Sequence, residues 1–167
     1  MVGREGMLGI ELSLGASAAP LRTVARLSGA AWRVSADAFE CELARGTALQ
    51  RRLTLYAFSL MTRLGIAAAC QRFHAVGPRL ASWLLLSMDR AQGKGLKATQ
   101  KTIAELLGVR RESVTEEASK LAKAGCISYS RGHIALLERA QLEALACSCY
   151  RSSSDARPPI VPGVKRK

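Results

Sequence analysis

Between Ala98 and Gly125 two short runs of apolar residues at helical spacing are separated by a single glycine, Gly108. That pattern restricts the chain more than any other. Thr99 is placed to cap a helix from Gln100 to Leu107, with Ile103, Leu106 and Leu107 turned inward. Ala104 is small where a second helix can cross closely, Gly108 supplies a tight turn, and Val109 plugs the corner. A second helix from about Arg111 to Lys123 directs Val114, Ala118 and Leu121 to the core, and Gly125 ends it. Two short helices locked in this way form a helix-turn-helix.

The second helix presents Arg111, Glu112, Thr115, Glu116 and Ser119 outward. An arginine can donate two hydrogen bonds to guanine, and a carboxylate can accept one from the cytosine amino group. Arg111, Glu112, Thr115 and Glu116 are therefore the candidate base readers, and Lys101, Arg110, Ser113 and Lys120 suit phosphates. Downstream, Cys126–Tyr129 and His133–Leu136 read as strands around Ser130-Arg131-Gly132, a hairpin that forms a wing with Arg131 at its phosphate-facing tip. Glu138 to Tyr150 reads as a closing helix with Leu142, Leu145 and Ala146 inward.

Upstream, Pro78 fits the first turn of a helix that runs to about Arg90 and buries Leu80, Trp83, Leu84 and Met88. Gln92-Gly93-Lys94-Gly95 reads as a flexible loop. Residues 47–73 read as one long helix with Leu49, Leu53, Tyr56, Leu60 and Leu64 along one face. A helix of that length outruns the short region before it, so the face is expected to be a dimer seam. Residues 1–39 read as short strands between glycines, too few to close a barrel or sandwich, and Ser35 is a plausible cap for a helical turn. Residues 151–167 read as a basic disordered tail.

The net charge of +12 suggests a polyanionic partner, nucleic acid first. The charge is spread along the chain: nine basic and five acidic residues in 1–74, eleven and seven in 75–150, five and one in 151–167. No apolar run approaches the ~20 residues of a membrane span, and Glu5 and Glu11 interrupt any signal-like start. No membrane association is expected, and the location is expected to be cytoplasmic. The cysteines Cys41, Cys70, Cys126, Cys147 and Cys149 are odd in number and irregular in spacing, which argues against a disulfide framework. Cys147-x-Cys149 is tighter than usual zinc spacing, and His74 and His133 are distant in sequence, so ordinary thiols and no metal are expected. No phosphate loop or nucleophile–base pair points to an enzyme, and no cofactor is expected.

The runs Arg79–Leu85, Thr99–Gln100, Leu106–Thr115, Ala124–Ile127 and Tyr129–Ile134 resemble the Crp/Fnr transcription regulators. The resemblance extends to the 47–73 helix, which is similar to that family's dimerisation helix, and to Gly6–Phe39, which is similar to the second half of its cyclic-nucleotide-binding-like β-roll. It implies a homodimer on a near-palindromic site in double-stranded DNA. Arg111 and Glu112 match the family's base-reading pair, and Thr99, Gln100, Lys101, Arg110 and Ser113 fall at or near its phosphate contacts. Glu116 stands where many members carry arginine, and Glu117 where many carry an apolar residue. Glu5-Gly6 and Pro20-Leu21-Arg22-Thr23 depart from the cyclic-nucleotide pattern, so no nucleotide effector is expected.

The expected fold is therefore α+β: a partial β-roll (1–45), a dimerisation helix (46–74), a winged helix-turn-helix domain (75–150) and the tail (151–167). The expected function is sequence-specific transcription regulation without catalysis, with RNA polymerase as a further candidate partner. The alternative is a non-regulatory fragment that heterodimerises with a longer relative.

Overall fold

The computed structural model describes residues 1–4, 6–46, 48–91 and 95–156. Glu5, Thr47, the loop residues Gln92, Gly93 and Lys94, and the tail beyond residue 156 lie outside the described residues. Two units form along the chain, one over Val2–Thr62 and one over Arg63–Asp155.

The second unit holds the hydrophobic core. Helix α3 (Val76–Ala91) is its centre, with Leu80, Ala81, Leu84, Leu85 and Met88 buried. Pro78 falls in the first turn, where its missing N–H costs nothing. Helix α4 (Gln100–Leu107) begins at Thr99, whose side chain accepts the Thr102 N–H at 3.1 Å. It ends at Gly108 in the left-handed region, φ 64°. Helix α5 (Arg111–Lys123) buries Val114, Ala118 and Leu121 against α3 and α4. Leu106, expected inward, is exposed, because Ile103 and Leu107 fill that face.

Strands β2 (Ile127–Ser130) and β3 (His133–Leu136) form the expected antiparallel hairpin, with Ser130 opposite His133. Its two turn residues, Arg131 and Gly132, both have positive φ, 48° and 80°. That is the twist a two-residue hairpin loop requires. A strand not anticipated, β1 (Leu96–Lys97), pairs with β3 and gives the order β1-β3-β2. Tyr129 reinforces the sheet by donating to the Ala98 carbonyl at 3.2 Å.

The closing helix is two helices, α6 (Arg139–Leu145) and α7 (Cys149–Asp155). The chain leaves helical geometry at Ala146, ψ 150°, and Leu145 is exposed rather than inward. Residues 151–155, expected to belong to the disordered tail, are helical. Tyr150 packs on the core and anchors this turn: Arg139 donates to its hydroxyl at 2.7 Å and to Asp89 at 2.8 Å.

The first unit departs most from expectation. Residues 1–45 contain a 3-10 turn (Ile10–Leu14) and helix α1 (Ala36–Ala44), and no strand among the described residues. The partial β-roll is not formed. A strand holds only when a neighbour takes its backbone hydrogen bonds, and these residues supply too few candidates to satisfy one another. Leu21, Val24, Trp32 and Val34 are exposed accordingly. Ser35 does cap α1, accepting the Ala38 N–H at 3.4 Å.

Helix α2 (Ala48–Phe73) is the expected long helix. Its predicted seam divides. Leu53 and Tyr56 are buried inside the chain, Leu49 and Leu60 are half-buried, and Leu64 is exposed. Tyr56 is sealed by the N-terminal segment, accepting from Met7 N at 3.0 Å and donating to Met7 O at 3.1 Å. The apolar residues left exposed on the same unit's part of α2 are Leu55, Phe58 and Met61. By length and composition α2 could cross a membrane, contrary to the sequence reading, but Leu53, Tyr56, Ala57 and Ser59 are packed against protein.

Candidate nucleic-acid interface

The outward face of α5 follows from its inward one. With Val114, Ala118 and Leu121 fixed to the core, the 3.6-residue period leaves Arg111, Glu112, Thr115, Glu116, Ser119 and Lys120 exposed. With Lys123 these residues line one shallow concavity. The structure therefore brings all four expected base readers onto one surface.

The surface is organised before any ligand arrives. Thr115 Oγ1 lies 2.7 Å from Gln100 Oε1 and 3.0 Å from the Arg111 carbonyl. This links α5 to the first residue of α4, so Gln100 is a partner of a candidate base reader as well as a candidate phosphate ligand. Lys120 Nζ lies 2.8 Å from carboxylate oxygens of both Glu116 and Glu117. The Lys120 hydrogen bond and charge hold the Glu116 carboxyl below its usual range, and the two carboxylates push the Lys120 ammonium up. Lys120, expected on a phosphate, is thus already engaged.

Glu117 neither enters the core nor points fully into solvent. It leans over Gly77 in the first turn of α3, where a methyl group would collide with its carboxylate. A negative charge at the start of a helix is favourable, since that end carries the positive pole of the helix dipole.

The remaining phosphate candidates frame this face. Thr99 and Arg110 occupy the N-cap positions of α4 and α5, Lys101 lies in the first turn of α4, and Ser113 in that of α5. Backbone N–H groups at helix starts add to the pull on an anion. Arg131 is exposed at the hairpin tip.

Sequence reasoning missed the role of Arg79. This buried guanidinium on α3 donates from Nη2 to the Leu107 carbonyl in the last turn of α4. Carbonyls at a helix C-terminus have no partner within the helix, and Arg79 supplies one where the two helices turn. A buried arginine among leucines was the available signal. The thiols also were separated only in sequence: Cys70, His74, Cys147 and Cys149 meet within the second unit. Burial and the Cys147 thiol beside it push the metal-free Cys70 thiol up to about 12.

Two helices locked by a glycine turn, preceded by β1 and followed by the β2–β3 hairpin that pairs with it, define a winged helix-turn-helix. Residues 78–145 match the profile of the Crp-like helix-turn-helix domain. No curated protein matches the chain. Among solved structures it is similar to a protein of Eubacterium rectale described as a transcriptional regulator of the Crp/Fnr family. Identity is 26%, the alignment covers 68% of this chain and 46% of that one, and the TM-score is 0.46. The chain thus spans less than half the length of that protein.

Proposed function

We propose that this protein is a sequence-specific, non-catalytic DNA-binding regulator of transcription that reads its operator with α5. The observation that carries the reading is the single exposed surface of Arg111, Glu112, Thr115 and Glu116 over a fully packed helix-turn-helix. Arg111, at the start of α5, donates to guanine, and Glu112 accepts from a cytosine amino group. Thr99, Gln100, Lys101, Arg110, Ser113 and Arg131 hold the flanking phosphates and fix register. Lys120 joins them when phosphate competes it away from Glu116 and Glu117. Such a protein works in the cytoplasm with the chromosome, and RNA polymerase is the natural partner of a bound regulator.

The active form is a homodimer joined through α2. Leu53 and Tyr56 are engaged within the chain, so the contact uses the exposed Phe58, Met61 and Leu64, which share one side of α2. A twofold dimer binds two half-sites about one helical turn apart. Hydroxyl-radical footprinting on a selected duplex tests this. Two protected faces roughly 10 base pairs apart are expected. A single protected half-site, unchanged in Phe58→Glu, would overturn the dimer.

A specific observation favours a second reading. Residues 1–45 build no effector-type β-roll among the described residues, as expected of a subunit that heterodimerises with a longer relative. A heterodimer in an equimolar mixture with such a relative, and no homodimer alone, would establish it.

A further inference from the structure

We propose that Cys70, His74, Cys147 and Cys149 form a metal-binding site for a single tetrahedral zinc ion. Nothing in the reading of the DNA-binding face requires these four residues, and they come from opposite ends of the second unit. Cys70 and His74 are four residues apart at the end of α2, and the His74 N–H bonds to the Cys70 carbonyl at 3.1 Å. The helical turn is therefore intact through His74, and both side chains lie on one face. Cys147 lies in the break between α6 and α7, and Cys149 opens α7. The break lets two thiols only one residue apart turn toward the same point, which a continuous helix forbids. The spacing that looked too tight for zinc becomes usable because of that break.

The distances fit the ion. Cys70 Sγ lies 3.5 Å from Cys147 Sγ, and Cys149 Sγ lies 3.4 Å from His74 Nδ1. All four ligating atoms fall within 4.8 Å of one another. Zinc–sulfur bonds of ~2.3 Å and zinc–nitrogen bonds of ~2.0 Å place tetrahedral neighbours roughly 3.5 to 3.8 Å apart. The Cys70–Cys147 and Cys149–His74 distances match that spacing, and three soft sulfurs and one imidazole nitrogen within 4.8 Å of one another are a zinc donor set.

The surroundings support the ligands. The buried Ser82 hydroxyl lies 3.0 Å from Cys147 Sγ, and the Cys147 N–H donates to Ser82 Oγ at 3.1 Å. The same N–H faces the Pro78 carbonyl at 3.3 Å. Ser82 thereby fixes both the backbone and the sulfur of Cys147, as outer-sphere partners of metal ligands do. On loading, each of the three thiols releases its proton to solvent, the imidazole binds neutral, and no electron is transferred. The ion then ties the last turn of α2 to the α6–α7 break and so stiffens the base of the DNA-binding domain.

The test uses the full-length chain, reduced and handled without oxygen. Elemental analysis is expected to find about one zinc per chain, and Co2+ substituted for zinc to give the visible bands of a tetrahedral thiolate site. Cys149→Ser and His74→Ala, each checked for folding by circular dichroism, should lose or alter those bands. Ser82→Ala, which retains all four ligands, should weaken zinc binding roughly 10- to 100-fold. Unchanged cobalt spectra in both ligand variants would overturn the proposal. So would absent zinc with no cobalt bands in the folded chain, or a Cys70–Cys147 disulfide in the intact mass of freshly isolated protein. DNA binding is measured separately, so failure here leaves the reading of α5 untouched.

Discussion

Arg79→Ala separates the stability of the helix-turn-helix from its recognition surface. The Arg79 guanidinium is buried on α3 and donates to the Leu107 carbonyl at the end of α4. Removing a charged donor from a buried carbonyl costs about 1.5–3 kcal/mol. Truncation to alanine also strips the apolar stem from a packed site, which adds about 1 kcal/mol. Against this, the variant no longer buries a guanidinium, which returns part of the loss. The net expectation is about 2–3 kcal/mol for alanine. It is about 1–2 kcal/mol for Arg79→Met, which keeps the stem volume while orphaning the same carbonyl. For a unit of this size the alanine change lowers Tm by the order of 10–30 °C. Urea unfolding followed by circular dichroism measures both variants. Arg79 is not on the α5 face, so DNA affinity well below Tm should be unchanged. Equal losses under about 0.5 kcal/mol in both variants would refute the assigned role.

Other perturbations have equally definite outcomes. Glu116→Gln removes one of the two carboxylates that hold Lys120, leaving Glu117, and takes a negative charge off the α5 face, so the salt slope of binding should steepen by up to ~0.9 per half-site. Nuclear magnetic resonance titration should place the Glu116 carboxyl midpoint below 4.5, and Lys120→Met should return it upward. The sign follows: a lowered carboxyl contributes stability above the ordinary range and loses it as pH falls through the folded value. Thr99→Ala removes the cap of α4 and should cost about 1 kcal/mol in urea unfolding, with a weaker phosphate contact besides. Arg131→Gly relieves a left-handed residue in the hairpin turn, stabilising the wing by up to about 1 kcal/mol while lowering DNA affinity.

The helix-turn-helix was legible because its constraints are local. Ile103, Ala104, Leu107, Gly108, Val109 and Val114 lie within twelve residues, and the period alone separates the inner from the outer face of α5. Features set by distant partners were not legible. Strand β1 is two residues long and exists only because β3 lies beside it. The α6–α7 break has no glycine or proline to announce it, and α7 depends on Tyr150 reaching Asp89 and Arg139. The stripe of Leu49, Leu53, Tyr56, Leu60 and Leu64 was correctly read as one face of α2. Period alone could not say that Met7 would claim Tyr56. In residues 1–45 local alternation suggested strands, but strands are settled by pairing, and none formed among the described residues.

The central claim is that α5 reads base sequence. The most direct test is fluorescence anisotropy on a site selected from a random duplex pool, titrated beside a scrambled duplex over a salt series. A preferred near-palindrome is expected to bind at least ~1,000-fold more tightly than scrambled DNA. Arg111→Ala should reduce that preference by roughly 5- to 150-fold, the worth of one bidentate base contact. Equal, steeply salt-dependent binding to both duplexes, indifferent to Arg111→Ala, would contradict it and leave only the net positive charge at work.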